Sequence, residues 1–597
     1  MKKFVWLLVG CLVVLSLVLA SCAPATPTTP TTPTTPITPS APATTPTAPA
    51  TEKPMYGGTV IIGTDKDTLG WDIDQQDVGE YGPGIANEDL LTGDWAKGPA
   101  GTGETKWELR TMLLDIYTGY LATSWSIPDA NTIIYKIRPG VHFMLDSSSE
   151  ASRLVNGREL TAEDVAYNIQ REIGNPKTYY GASYPGYLKS VEATDKYTVV
   201  VHGNDTELTR TARAFEDISG SCRIYPREVI EKYGDMRNWK NSVGSGPFYV
   251  TDYVGGSSMS FKKNPGYWRT DPVGPGKGNQ LPYLDGVKIL VIPDVSTRIA
   301  ALRTGKVDWV TSIALDDERV LHQQKPEIVE AAHLDEQGGG YIAGRIDRNL
   351  PFDDVRVRRA MMMAVDQQAV ARDFYKGQAA VLWFPTAPAY PSLYTPIEQL
   401  PESTKTLYTY DPAKAKALLA EAGYPNGFKT EVVLPNTTDI PDKMAIYKSY
   451  LGAVGIDMEM KIYDNATWMS IRIGKTHNAM MYGRPAFDNP YKITHAEPGN
   501  SVNNVGIDDP VINAASAAIW DYKNIENPTE RANQVKIRTL RVLDQAYFLT
   551  FPAPYAYRMW WPWLKNYHGE LNVRYWDPYS WVPFVWIDQG LKKSMGY

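Results

Sequence analysis

The chain has 597 residues, of which 43% are hydrophobic and 21% charged, so it can bury large cores, and its length predicts two or three domains. It carries 60 Lys and Arg against 67 Asp and Glu, and this slight acidity argues against nucleic acid as a partner. Its three cysteines lie at positions 11, 22 and 222, which excludes a disulfide framework in the folded part.

The first 21 residues have the layout of a secretory signal peptide. A basic start, Met1-Lys2-Lys3, precedes an apolar run from Phe4 to Ala20, and small residues follow it. The run is short for a transmembrane helix, which needs about 20 apolar residues. We therefore expect residues 1–21 to be removed after export.

Residues 22–54 are rich in Pro and Thr and predict an extended tether. Proline removes backbone donors, so the segment favours polyproline II, with a rise of about 3.1 Å per residue. Leu19-Ala20-Ser21-Cys22 resembles the bacterial lipobox, which implies that Cys22 receives a lipid and anchors the chain to the outer face of the cytoplasmic membrane. The alternative is an ordinary signal peptide, cut near Ala20, with Cys22 unmodified.

From Tyr56 onward the sequence alternates strand and helix patterns, which predicts an α/β fold. Strands are predicted at 59–62, 132–138, 198–201, 248–250, 259–261 and 287–292. A capping box at Thr161 to Asp164 begins one predicted helix. A second is predicted over 353–365, and a third begins at Asp411-Pro412 and ends at Gly423.

One glycine-rich stretch, 93–103, carries no phosphate-binding signature. It lacks the Lys-Ser/Thr that follows a phosphate-binding glycine loop, so we predict a surface loop.

Several phrases occur in a characteristic order along the chain, among them LATSW at 121–125, GSGPFYVTDY at 244–253, NPGYW at 264–268, ALRTGKVDWV at 301–310 and YDPAKAKALLAEAGYPNGF at 410–428. In this order they resemble the extracytoplasmic solute-binding proteins of family 5, the receptors of ABC importers for dipeptides, oligopeptides and nickel. The resemblance implies a two-lobed periplasmic-binding-protein fold of type II, in the large cluster with an extra accessory domain, hinged around a ligand cleft.

Domain boundaries follow from the same resemblance. It places lobe I at 55–113, 200–292 and 544–597, the accessory domain at 114–199, and lobe II at 293–543. Residues 146–156 interrupt the family pattern and predict a hairpin or loop insertion far from the ligand.

The candidate ligand-binding residues are Trp71, Trp468, Tyr482, Arg484 and Asp488. Peptide-binding members tend to carry Trp-x-x-Asp in the segment that matches 480–490, where the carboxylate pairs with the α-amine of the ligand. Here Tyr482 and Arg484 lie near that position, and an arginine suits a carboxylate or polyol better than an ammonium group. Each of these residues could equally be structural, since the chain has 17 Trp and 37 Tyr.

The implied function is that of the substrate-binding receptor of an ABC importer, a monomer that captures an oligopeptide-class solute and delivers it to the permease and ATPase subunits. An oligosaccharide is the alternative ligand, because sugar rings stack on Tyr and Trp. A sensor is a further alternative, which would also close around its ligand and would then report to a membrane signalling partner.

No cofactor is expected, and no metal site, because the seven histidines show no close ligand spacing. A secreted hydrolase is disfavoured, since Gly-x-Ser-x-Gly and His-Glu-x-x-His are both absent.

Overall fold

The computed structural model describes residues 52–72, 82–108, 112–204, 210–335, 339–437, 439–485, 489–575 and 577–597. The expected signal peptide, the lipid attachment at Cys22, nearly all of the tether and the candidate residue Asp488 lie outside these described residues.

An eight-stranded mixed sheet, here called the large sheet, organises the first lobe. Thr59–Thr64 lies in its centre and pairs in parallel with Gly286–Val291 on one side and with Trp309–Ile313 on the other. The sheet order, from edge to edge, is Val329–Leu334, Ala553–Trp560, Trp309–Ile313, Thr59–Thr64, Gly286–Val291, Ser258–Lys263 and Phe248–Val254, with the short strand Ala379–Ala380 also paired to Ala553–Trp560.

A five-stranded sheet organises the second lobe, in the order Ile456–Tyr463, Phe428–Pro435, Met480–Gly483, Gly340–Gly344 and Leu549–Phe551. A separate four-stranded antiparallel sheet contains Ala122–Asp129, Thr132–Ile137, Thr198–Gly203 and Leu188–Asp195. Two short strand pairs complete the described set: Leu91–Gly93 with Tyr117–Gly119, and Leu564–Lys565 with Trp586–Ile587.

Helices cover these sheets. The α-helices of six residues or more within the described ranges are Glu150–Val155, Ala162–Ile173, Arg210–Ser221, Arg227–Tyr233, Val295–Arg303, Leu315–Gln324, Val355–Met363, Pro412–Glu421, Ile440–Ala453, Asn465–Gly474, Pro510–Ile519, Pro528–Asp544 and Gln589–Ser594. Among the residues that the structure describes, no helix combines the length and the apolar character needed to cross a membrane.

The local sequence signals place most of these elements correctly. The six predicted strands are all present, with ends that differ by a few residues at most. The helix predicted from Asp411-Pro412 begins at Pro412, and the Asp411 side chain accepts a hydrogen bond from the Lys414 backbone N–H. The Asp164 carboxylate accepts one from the Thr161 backbone N–H at 3.0 Å, as its predicted capping role requires.

The insertion at 146–156 contains a short helix, Glu150–Val155, which the prediction of a hairpin or loop missed. Glu150–Val155 is helical because Ser149 caps its first turn and Asn156 ends it in the left-handed conformation, at φ 54°.

The boundary of the second lobe also differs from the expected one. Trp309–Ile313 and Val329–Leu334 belong to the large sheet, although the sequence assigns everything from 293 onward to lobe II. Leu549–Phe551 belongs to the five-stranded sheet, although the sequence assigns residues after 543 to lobe I. The chain therefore passes between the two sheets after Leu334 and again at Pro552, and between these points the short strand Ala379–Ala380 returns it to the large sheet.

The hydrophobic side chains form two main clusters. One lies between the five-stranded sheet and its helices and draws only on residues between Ile342 and Phe551. The other begins in the large sheet with residues such as Ile62 and Ile289, and it extends through helix Arg210–Ser221 to second-lobe residues such as Trp520. Cys222 is buried in this second cluster, as a small apolar side chain is expected to be.

Candidate functional site

A cavity of about 160 Å³ lies between first-lobe residues, within 104–108 and 113–116, and a second-lobe segment, 389–392. Its described lining residues are Glu104, Thr105, Trp107, Glu108, Leu113, Asp115, Ile116, Ala389, Tyr390, Pro391 and Ser392. We call this space the cleft. A ligand held here would contact both lobes, and such a ligand can favour a closed arrangement.

Carboxylates dominate the charge of the cleft. Glu104, Glu108 and Asp115 line it, and none of its described lining residues is basic. Glu104 is held ionised at the rim, where hydrogen bonds from Thr102 and Lys97 lower the pKa of its carboxyl group. Glu108 also acts on the large-sheet strand Ala553–Trp560, where burial, followed by this carboxylate, raises the pKa of the Tyr555 hydroxyl. The cleft therefore suits a ligand that carries a cationic group.

Two aromatic residues supply the apolar walls of the cleft. Trp107 is only 3% exposed and Tyr390 only 5%, so each presents a small part of its ring to the cavity. Trp107 has a positive φ of 54°, and its carbonyl accepts hydrogen bonds from the backbone N–H groups of Leu571 and Asn572. These two hydrogen bonds fix the Trp107 backbone against the C-terminal segment.

The glycine-rich stretch 93–103 packs around Trp107, so it is more than the surface loop that the sequence predicts. A Cβ on Gly98 would lie 2.3 Å from the indole Nε1, and one on Gly93 would lie 2.6 Å from the ring. Only glycine leaves room for the indole at these two positions. The many glycines just before Trp107 are the sequence signal that could have indicated that this tryptophan forms a wall of the cleft.

Helix Arg210–Ser221 contacts the second lobe through buried and partly buried charges. The Glu216 carboxylate accepts hydrogen bonds from Arg531 Nη2 at 2.8 Å and from Asn489 Nδ2 at 3.1 Å. Asp217 lies 3.5 Å from Lys492 Nζ. Arg213 pairs with Glu497 at 3.4 Å. Each of these three pairs joins opposite charges from the two lobes, so electrostatic attraction favours contact between the lobes.

The structure brings three of the sequence-predicted residues together in the second lobe. The Trp468 and Tyr482 rings lie 6.3 Å apart in one hydrophobic cluster, and both are buried. The Tyr482 hydroxyl donates to the Gly339 carbonyl at 3.3 Å, beside the first crossing between lobes. The half-buried Arg484 follows two residues later and lowers the pKa of the Tyr482 hydroxyl, although burial raises it more strongly.

Trp71 lies elsewhere. It is 3% exposed and packs in the first-lobe cluster, with its ring 5.3 Å from that of Tyr253 and 6.2 Å from that of Phe261. These contacts describe a core residue of the large sheet. The role of Trp71 in ligand binding stays a prediction, as do those of Trp468, Tyr482 and Arg484.

Comparison with known proteins assigns the chain to a family. Residues 117–499 match the model of bacterial extracellular solute-binding proteins, family 5 middle region. The chain belongs to this family. The resemblance found in the sequence phrases is thereby confirmed.

Individual family 5 relatives differ in the solutes that their names state. The chain is 30% identical over 328 residues to heme-binding protein A of Haemophilus influenzae, an alignment that covers 52% of this chain and 54% of the relative. It is 27% identical over 352 residues to glutathione-binding protein GsiB of Escherichia coli K12, covering 58% of this chain and 60% of the relative. These alignments span little more than half the length of the relatives.

Solved structures confirm the two-lobed family 5 fold. HbpA2 from Haemophilus parasuis superposes with a TM-score of 0.70 at 19% identity, covering 89% of this chain and all of the other. DppA from Helicobacter pylori, in complex with the peptide STSA, superposes with a TM-score of 0.63 at 21% identity, covering 89% of this chain and 99% of the other.

Proposed function

We propose that the chain is the solute-binding receptor of an ABC importer, which captures an oligopeptide-class solute outside the cytoplasmic membrane and delivers it to a permease. The observation that carries the proposal is the cleft, because it is lined by segments from both lobes. Its carboxylates and its aromatic walls offer the two kinds of contact that a short peptide needs, one for its amine and one for its apolar side chains.

The relatives support a peptide-class solute. Family 5 proteins with detectable similarity include a dipeptide-binding protein of Escherichia coli K12, 25% identical over 382 residues, as well as the glutathione-binding protein. Both names describe small peptides. The carboxylates Glu104, Glu108 and Asp115 would attract the ammonium group that such ligands carry, while the second-lobe Arg484 would suit a carboxylate.

The receptor would work by closure and not by catalysis. A solute that contacts both lobes stabilises the closed arrangement, which the permease then recognises. The crossings after Leu334 and at Pro552 would form the hinge. The two segments lie side by side, because the Asp335 backbone N–H donates to the Pro554 carbonyl at 2.9 Å. We propose that Cys22 carries a lipid and that the tether lets this monomer reach a permease in the same membrane.

A thermal-shift screen of the full chain tests the proposal. Its arms are dipeptides and tripeptides, glutathione, cello-oligosaccharides and hemin. A true ligand at about 100 times its dissociation constant adds about 2.7 kcal/mol to the free energy of unfolding, which gives a clear rise in melting temperature. We expect the peptide arm to give the largest rise. A rise only with cello-oligosaccharides or hemin would contradict a peptide-class solute.

A variant pair locates the site of binding. Glu108→Gln removes one cleft carboxylate with little change of shape, so it should weaken the best peptide about tenfold, as expected for the loss of one charge-assisted contact. Glu192→Gln is the matched control, on the exposed face of the four-stranded sheet, and should leave affinity unchanged. Equal affinities in the two variants would show that the cleft is not the binding site.

Arg484→Ala should also lower the affinity for a ligand with a free carboxylate.

A further inference from the structure

A cluster of metal-ligating side chains lies outside the cleft. Glu318 and His322 are four residues apart in helix Leu315–Gln324, so they share one helix face. Glu330 approaches them from the edge strand Val329–Leu334 of the large sheet. One potential ligand atom from each of the three residues lies within 4.8 Å of the other two.

Burial distinguishes this cluster from an ordinary acidic surface. Glu318 is only 7% exposed, and one of its carboxylate oxygens lies within 4.8 Å of a Glu330 carboxylate oxygen. Two ionised carboxylates at this distance repel each other, and a cation bound between them would offset the repulsion. The His322 Nδ1 lies 3.9 Å from Glu330 Oε2 and supplies a nitrogen donor at the exposed side.

Charged and polar side chains surround the cluster. Asp316, Asp317 and Arg319 lie next to Glu318 on the same helix, and Tyr557 lies in the strand that pairs with Val329–Leu334. A divalent cation would neutralise both carboxylates at once.

We propose that Glu318, His322 and Glu330 bind one divalent transition-metal ion, with Zn²⁺ as the best match. Two carboxylate oxygens and one imidazole nitrogen form a donor set that Zn²⁺ uses, and water can complete the tetrahedron. Ligand atoms at about 2.0–2.2 Å from one ion lie no more than about 4.4 Å apart, so small side-chain rotations would bring these three into place. The sequence predicts no metal site because its histidines show no close ligand spacing. This site uses a single histidine, so the spacing between histidines could not indicate it.

The position of the site suggests what the ion does. Asp316, on the same helix, pairs with Lys376 of the second lobe, and the Tyr557 hydroxyl donates to Gln378 Oε1 at 3.4 Å. The ion would therefore hold the helix to the sheet edge where a second-lobe segment touches both. This site does not depend on the solute that the cleft binds.

Isothermal titration of the full chain with Zn²⁺ tests the proposal. We expect one ion per chain, and a loss of affinity of about tenfold or more in His322→Ala and in Glu330→Gln, because each removes one of three protein ligands. His202→Ala is the matched control, a half-buried histidine in the four-stranded sheet, and should bind as the unaltered chain does.

Two results would overturn the site. One is the absence of Zn²⁺ binding by the unaltered chain at micromolar concentrations. The other is undiminished affinity in His322→Ala, which would place the ion elsewhere, for example at an unmodified Cys22. His322 is exposed, so this variant decides the question even if Glu330→Gln fails to fold. The visible spectrum of bound Co²⁺ gives a second readout and should change in His322→Ala alone among the two histidine variants.

Discussion

At the scale of single residues, the buried pair of Glu216 and Arg531 tests how the lobes are joined. Glu216 is 3% exposed and Arg531 1%, and the guanidinium also lies 3.6 Å from the Tyr491 ring centroid. Glu216→Gln would leave the arginine buried without its partner charge. We expect this to lower the free energy of unfolding by about 3 kcal/mol, as measured by urea denaturation.

An exposed pair provides the control for that measurement. Arg227 and Glu231 form an ion pair one helical turn apart, with more than half of each side chain in water. Glu231→Gln should cost less than about 0.5 kcal/mol, because solvent screens such pairs. Similar costs for the two variants would mean that Glu216 does not hold the lobes together.

His495 makes stability depend on pH. Burial, and then the Arg472 guanidinium, lower its pKa to about 3 from an ordinary value of 6.5. The unfolded chain therefore binds a proton between these values that the folded chain does not, so stability falls as pH drops below 6.5. The loss between pH 7.5 and pH 5 should be about 2 kcal/mol for this one residue. His477, whose pKa burial lowers to about 4, acts in the same direction.

Urea unfolding at the two pH values measures this effect. In His495→Gln the loss of stability on acidification should be smaller by about 2 kcal/mol than in the unaltered chain. His142→Gln, at an exposed histidine, should leave the pH dependence unchanged. An identical pH dependence in all three proteins would show that the His495 imidazole is not kept neutral by the fold.

At the scale of elements, the loop that supports Trp107 can be tested with glycine substitutions. Gly98→Ala places a methyl group against the indole, so it should destabilise the fold by about 1–3 kcal/mol and weaken the solute found in the screen. Gly452→Ala is the control, since nothing lies within 4 Å of its added Cβ and it sits in helix Ile440–Ala453. There alanine should stabilise by up to about 1 kcal/mol. Unfolding and ligand titration compare the two variants in their free energy of unfolding and their affinity. Equal values in the two variants would refute the packing role of the loop.

Short sequence signals predicted most elements, because each depends on neighbouring residues. A cap such as Asp411 and an alternating run such as 132–138 act within one helix turn or one strand. The expected boundary at 293 separates Trp309–Ile313 from the large sheet, to which this strand belongs. The strand, helix and strand over 286–313 form a βαβ unit, which keeps its two strands in one sheet. That rule would have moved the boundary past Ile313, although not past Val329–Leu334.

At the scale of the whole molecule, the family and the two-lobed fold could be predicted from sequence, whereas the cleft could not. Its walls come from residues within 104–108 and 113–116 and from 389–392, which lie far apart in the chain and meet only in the folded structure. The sequence instead indicated Trp468 and Tyr482, whose aromatic character is equally explained by the second-lobe core. Composition shows that aromatic residues are abundant, but only tertiary structure shows which of them line a cavity.

The central claim is that one intact small peptide lies between the two lobes. Native mass spectrometry of the full chain, after incubation with a defined mixture of dipeptides and tripeptides, tests it most directly. We expect a single added mass per chain, equal to that of an uncleaved peptide, and its loss in Tyr390→Ala, which removes one wall of the cleft. Shortened peptides in the mixture, or a chain that carries no peptide at any concentration, would contradict the claim.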